Sequence, residues 1–344
     1  MVFFEEKGAK IYMGNRKLAY MIFVTMKCNF RCSYCYEGIE KETGSMNIDI
    51  ADKVIAFILT NSDFDKIDEI EIAFHGGEPL LNFDIIKYII LKLNRSVIDK
   101  KVSIYYHITS NASLLNSEII EFIAKYIQDI SVSIDGRRET NDRYRKDYMG
   151  KGTHELVVGK IKALLKRRPY ISARMTVNSS ELLELIKDIE YLLSIGFKSI
   201  IPVINIWDKN WNEQTVKGIA VINNYIRENY SSEVSSILNP SKSILKCLGG
   251  ENSFSIDSLG NIYPCTFSVG DSELCCGNVF SGLNKNMINR INIIKNTSID
   301  ECRGCAIYDC CKTIRCKFVN KKFNGDYTAP IPLLCNLENL AFNN

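Results

Sequence analysis

The chain has 344 residues, is 46% hydrophobic and carries a net charge of +3 with no long basic block. Such a chain buries a sizeable core in one large or two modest domains, and nothing in it argues for a nucleic-acid surface. No run approaches the roughly 18–20 apolar residues that a membrane span needs. The opening MVFFEEKGAK carries acids where a signal peptide carries bases, so a cytoplasmic protein is expected. Residues 18–25, 69–74, 103–109, 130–135, 170–177 and 198–206 are short runs rich in β-branched and aromatic residues and read as strands. Between and after them, residues 50–59, 83–93, 117–127, 154–165, 181–195 and 212–229 repeat their apolar positions near every 3.6 residues, with start signals such as Asn82 and Ser180. Six βα units predict an α/β fold, a partial (β/α)6 TIM-like barrel over residues 1–235. From residue 236, near Asn239-Pro240-Ser241, the character changes to a small Cys-rich α+β domain running to 344.

Cysteine is the outlier. Of thirteen, three are Cys28, Cys32 and Cys35, and the other ten lie from Cys247 onward. A reducing compartment disfavours structural disulfides, so clustered thiols there read as metal or iron–sulfur ligands. The alternative is that some are inert, buried thiols.

In a parallel barrel, chemistry sits where strands end. The first strand runs into MKCNFRCSYCYEG, with three cysteines spaced C-x3-C-x2-C. Three thiolates on one loop hold three irons of a [4Fe–4S] cube and leave the fourth open. A zinc knuckle would need a fourth ligand nearby. The second strand ends in His75-Gly76-Gly77-Glu78-Pro79, where glycines allow close backbone approach and a carboxylate can accept from an ammonium. Taken alone, this is only a turn. The third ends in Thr109-Ser110-Asn111-Ala112. The fourth places Ser131, Ser133 and Asp135 on one face, with Arg145 following. The fifth carries Thr176 and Asn178. His75, His107 and His154 read as satisfied core residues rather than ligands.

These motifs, with Tyr34 just before the last cysteine, resemble the radical S-adenosylmethionine (SAM) superfamily. The resemblance implies a [4Fe–4S] cluster on Cys28, Cys32 and Cys35 whose open iron takes the amino and carboxylate groups of SAM. A reductant such as flavodoxin or ferredoxin would then drive release of a 5′-deoxyadenosyl radical. It further implies a SAM site of Tyr34, Gly76, Gly77, Glu78, Asn111, Ser133, Asp135, Arg145 and Thr176. Glu78 would hold the amino group and Arg145 the carboxylate, by a bidentate bond.

The C-terminal cysteines run Cys247-x12-Gly260-x4-Cys265, then Cys302-x2-Cys305-x5-Cys311-x4-Cys316, then Cys335, with a β-hairpin expected over 254–264. This is similar to the SPASM extension of radical SAM enzymes, which has two auxiliary [4Fe–4S] clusters. By that resemblance the first would use Cys247, Cys265 and Cys316, with Cys275, Cys276 or the substrate as fourth ligand. The second would use Cys302, Cys305, Cys311 and Cys335. The last step is x4 here rather than x3, and Cys310 lies beside Cys311, so which of that pair ligates is open. Two zinc ribbons are the alternative.

The resemblance implies an oxidoreductase acting on a peptide or protein, most simply a maturase forming a thioether or other crosslink on a ribosomally made peptide. A sulfatase-maturing, formylglycine-generating enzyme is the leading alternative, and a non-catalytic iron–sulfur carrier or zinc-binding interaction protein a third. An extended peptide is expected to add to the open edge of the barrel. About 17 residues precede the first strand, so a leader is expected to need another site or a separate protein.

Overall fold

The computed structural model describes residues 17–38, 44–239 and 246–343. The N-terminal segment and Pro240-Ser241, on which two of the readings above fall, lie outside them. The first part alternates as β1 (Lys17–Thr25), α1 (Ile48–Asn61), β2 (Glu69–Gly76), α2 (Phe83–Ser96), β3 (Ser103–Ser110), α3 (Ser117–Tyr126) and β4 (Asp129–Ser133). Then come α4 (Arg138–Tyr144), α5 (His154–Arg167), β5 (Ser172–Val177), α6 (Leu185–Ser194), β6 (Ile200–Ile204) and α7 (Glu213–Asn229). Strands β1 to β6 pair in parallel in sequence order. Helices lie between successive strands, and β1 reads as an almost unbroken apolar run because its residues from Tyr20 to Val24 are buried on both faces.

Local chemistry sets the helix starts. Asn47 caps α1 by accepting from the Ile50 amide, Asn116 caps α3 by accepting from Ile119, and Asn212 forms a capping box with Thr215 at α7. Asn82 behaves otherwise: its Nδ2 donates to the carbonyls of Val24 (2.8 Å) and Met46 (2.9 Å), which ties the start of α2 to the end of β1. The helix expected over 181–195 opens as a 3-10 turn, Ser179–Glu184, and becomes α-helical at Leu185. Its Glu181 is drawn to Arg143 and the Tyr144 hydroxyl, both at 2.5 Å. Helix α4, RETNDRY, is too short and polar to show an apolar period.

The hairpin β7 (Ser253–Ile256) and β8 (Asn261–Tyr263) turns at Gly260, whose φ is +84°. The Asp257 carboxylate accepts from the Leu259 and Asn261 amides there. Strand β7 then pairs in parallel with β1, from Ala19↔Ser253 to Ile22↔Ile256. With β9 (Gly277–Asn278) and β10 (Gly282–Leu283) this makes one sheet of ten strands, ordered β10-β9-β8-β7-β1-β2-β3-β4-β5-β6. The sheet is open, and its hydrogen bonding runs on past residue 236. Helices α8 (Lys285–Asn296), α9 (Lys312–Arg315), α10 (Lys317–Asn324) and α11 (Pro332–Asn343) follow, with α11 against α7 and α9. Among the described residues no helix is long and apolar enough to cross a membrane.

The β6 edge is a poor template for an added strand, contrary to the expected docking route. Ile200 is already bonded on its outer side, donating to Glu233 at 2.7 Å and accepting from Ser235 at 2.9 Å. The next outward-facing position, two residues on, is Pro202, which has no N–H to offer. Ile22 lies at the centre of the sheet, fully buried and paired to Phe74 and Ile256. Ile22→Ala should cost about 2–5 kcal/mol, read as a lower urea midpoint with an unchanged slope.

Candidate active site

The loop after β1 brings Cys28, Cys32 and Cys35 to one cavity of about 210 Å³. Gly76, Gly77 and Glu78 from the end of β2, Asn111 after β3, Ser133 on β4, Arg145 after α4 and Thr176 on β5 line the same cavity, as does Tyr34. Eight of the nine residues expected around SAM therefore meet at the C-terminal ends of five strands. Asp135 stands behind them, 1% exposed.

The glycines have a structural cause. The Gly77 amide donates to Thr25 O at 3.1 Å and Glu78 N to Lys27 O at 2.8 Å. A Cβ on Gly77 would lie 2.3 Å from Lys27 O and 2.8 Å from Cys28 Cβ; on Gly76, at φ +152°, it would lie 2.2 Å from Thr25 O. The pair lets the β2 loop press against the backbone of the cysteine loop. Glu78, 1% exposed, is anchored by three donors: Leu80 N (3.1 Å) and Ser110 Oγ (2.7 Å) on one oxygen, and Asn111 N (2.7 Å) on the other. Burial pushes its carboxyl up to about 7 against those bonds.

The expected fork between Arg145 and the SAM carboxylate is given instead to Asp135. Arg145 Nε and Nη2 donate to the two Asp135 oxygens at 2.9 and 3.1 Å. A carboxylate this deep must be paired. Asp135 also accepts from the Tyr34 hydroxyl and from Thr176 N (2.9 Å), so it fixes the wall and does not face the cavity.

A second cavity of about 410 Å³ shares His75, Thr109, Arg174, Val203, Ile204 and Ile206 with the first. Its far wall is α11, through Leu334, Leu337 and Ala341. His75 stands at the junction, 9% exposed, and burial, followed by the charge of Arg174, pushes its imidazole down to about 4. It is therefore neutral at ordinary pH. Sequence reasoning had placed it in the core. Its one signal was its place directly before Gly76. Phe267, two residues after Cys265, reaches the first cavity and packs on Tyr36 at 5.5 Å, a contact with no sequence signal.

None of the thirteen cysteines forms a disulfide. Burial first, then the charge of Cys247, raises the thiols of Cys265 (to about 12) and Cys316. Cys302 is raised by burial, then by Cys311, Cys335 and Cys305, and Cys335 by burial, then by Cys311 and Cys305. Cys247 thus lies within electrostatic reach of Cys265 and Cys316, and Cys305 and Cys311 within reach of Cys302 and Cys335. Cys276 stands elsewhere: it is fully buried in the main core, donates to Ile262 O at 3.3 Å, and Cys275 is the thiol acting on it. Among the described residues no three His, Cys, Asp or Glu side chains converge as around a single metal ion. Thiolates on separate corners of a cube stand farther apart than donors sharing one ion, and three thiols lining one cavity fit such a cube.

The family model described as the radical SAM superfamily matches residues 22–198, just over half of the chain. The chain belongs to the radical SAM superfamily. Its cofactors are accordingly SAM and a [4Fe–4S] cluster. It is similar to a cysteine-type anaerobic sulfatase-maturating enzyme of Clostridium novyi, at 22% identity over 83% of this chain and 84% of that one. It is also similar to the radical SAM cyclopropyl synthase TigE of Paramaledivibacter caminithermalis, at 23% over 86% and 69%. In fold it resembles native anSMEcpe with bound AdoMet and Kp18Cys peptide, with a TM-score of 0.78 at 19% identity over 95% and 96% of the two chains. Streptococcus suis SuiB bound to precursor peptide SuiA gives 0.66 at 16% over 93% and 76%. This open parallel sheet is therefore the partial barrel of radical SAM enzymes.

Two tests follow from the geometry of this radical SAM site. Gly77→Ala should displace the cysteine loop and reduce iron retained at the first site by more than half, measured on reconstituted protein. The Glu78 carboxyl is raised from 4.5 to about 7, so its favourable contribution is complete below 4.5 and is lost as pH rises through about 7. Melting temperature of the iron-free protein should fall across that window, and Glu78→Gln should flatten the slope.

Proposed function

We propose that this enzyme modifies a peptide or protein by hydrogen abstraction, with the reacting segment of the substrate in the second cavity. The observation that carries this reading is the junction of the two cavities at His75, Thr109 and Arg174. It puts room for a side chain directly beside the cysteine loop. When bound there, SAM and its cluster supply a 5′-deoxyadenosyl radical. The chain's own residues do the rest. Cys28, Cys32 and Cys35 hold the cluster; Gly76, Gly77 and Glu78 receive the amino group of SAM; Asn111, Ser133 and Thr176 line its remainder. Asp135 holds Tyr34 and Arg145 in place, and α11 and the strand interior exclude water from the substrate.

Cys247, Cys265 and Cys316 hold a first auxiliary cluster, and Cys302, Cys305, Cys311 and Cys335 a second; Cys276 is left in the core. The first group has three thiols and the second four, so a position on the first remains for another ligand, a substrate thiolate among the candidates. The product is a thioether or other crosslink on a ribosomally made peptide, with the electron supplied by flavodoxin or ferredoxin and any leader held by a separate protein. A second reading, oxidation of a sulfatase cysteine or serine to formylglycine, draws support from likeness over nearly the full length of sulfatase-maturing relatives.

Reconstituted enzyme should carry about twelve irons, four per [4Fe–4S] cluster. The combined Cys28→Ala, Cys32→Ala and Cys35→Ala variant should keep about eight and form no 5′-deoxyadenosine from SAM. Deuterium transfer into 5′-deoxyadenosine from a labelled Cys-containing peptide, with the unlabelled peptide giving a product two mass units lighter and no aldehyde, supports the crosslink; an aldehyde trapped by a hydrazine supports the second reading. SAM cleavage by the triple variant would refute both.

A further inference from the structure

Beyond Arg145 the chain runs out to a tight turn, Lys146–Lys151, and returns at Gly152, which is bridged to Lys146. The turn is preordered. The Asp147 carboxylate accepts from the Met149 and Lys151 amides at 2.8 and 2.9 Å, and Gly150 takes a φ of +79°. Its tip is Tyr148-Met149, 72% and 66% exposed. Neither side chain lines either cavity. Folding gains little from such a pair left in water, whereas an aromatic ring and a thioether on a rigid turn are effective contact groups. The same segment is joined to the cysteine loop. The residues on either side of Cys32 both donate to it, Arg31 N to Lys146 O at 2.6 Å and Ser33 N to Tyr144 O at 3.1 Å, and Phe30 is bridged to Asp147. A short path of bonds thus runs from the turn to Cys32. The tip is also flanked by two exposed bases, Lys146 and Lys151. The acids nearby are engaged: Asp147 holds the turn, Asp142 accepts from His154 N at 2.8 Å and lies 3.6 Å from Arg138 Nε, and Glu155 pairs with Arg138.

We propose that this turn is the docking point of an acidic, flavin-carrying electron donor of the flavodoxin class, and that the electron enters the SAM-binding cluster on its Cys32 side. This rests on the reading of Cys28, Cys32 and Cys35 as that cluster's ligands. The step moves one electron: the reduced flavin loses it, the cluster gains it, and no bond of the enzyme forms or breaks. Lysines around an apolar centre steer an acidic partner and speed its arrival, and a small contact lets the spent carrier leave. An aromatic ring and a sulfur at the tip suit a partner that presents a flavin ring rather than an inorganic cluster. A turn already held in shape loses little freedom on contact.

The test compares two reductants on the full-length, anaerobically reconstituted enzyme, with 5′-deoxyadenosine formed from SAM as the readout. Reduced flavodoxin has to dock; dithionite, a small ion, does not. Tyr148→Ser combined with Met149→Ser should raise the flavodoxin concentration giving half-maximal rate by about tenfold and leave the dithionite-driven rate at the native value. Lys146→Glu combined with Lys151→Glu should slow the flavodoxin-driven reaction and remove most of its sensitivity to salt. Native flavodoxin kinetics in both variants overturns the docking, as does a native enzyme that dithionite drives and flavodoxin does not. Equal loss with both reductants overturns it too, in favour of a turn that merely supports the cysteine loop. SAM cleavage that persists in the combined Cys28→Ala, Cys32→Ala and Cys35→Ala variant overturns the ligand reading and the inference together.

Discussion

A single buried carboxylate organises the catalytic end of this sheet. Asp135 receives both arms of Arg145, the hydroxyl of Tyr34 and the backbone N–H of Thr176. Those donors come from three places: the segment after α4, the cysteine loop and β5. Tyr34 lies between Cys32 and Cys35, so the loop that must present thiols to a cluster is anchored through a residue inside its own spacing. The other flank of the loop is set by backbone contact with Gly76 and Gly77. A short loop without secondary structure of its own is thus held from two sides, as a site with exact metric demands requires.

The C-terminal region contributes at both ends of the molecule. Its hairpin extends the sheet beside β1, while α11 walls the second cavity and carries Cys335. A cluster linking Cys335 to Cys302, Cys305 and Cys311 would therefore also fix the wall of the substrate space. Electron transfer and the shape of the reaction chamber would depend on the same covalent bonds.

The strands and helices of the barrel were legible because their apolar periods are strong and their order is simple. The cysteine spacing and the Gly-Gly-Glu turn marked the site for the same reason: few alternatives satisfy so many thiols in so short a loop. What escaped was set by tertiary pairing. The pairing of Arg145 with Asp135 depends on depth, which the nine intervening residues do not reveal. The union of β7 with β1 joins segments far apart in sequence, and the four-residue run at 253–256 has no signal naming its partner.

The neighbour relation of β1 has a consequence for how the protein is made. On the ribosome its β2 edge is covered soon after synthesis, but the other edge waits for Ser253–Ile256, more than two hundred residues later. At roughly 5–20 residues per second that interval is on the order of ten to forty seconds. Throughout it, one of the most apolar strands of the chain presents an unpaired ladder of N–H and C=O groups. The nascent chain must be shielded over that interval, so yield in a foreign host should depend on translation rate and chaperone supply as much as on iron.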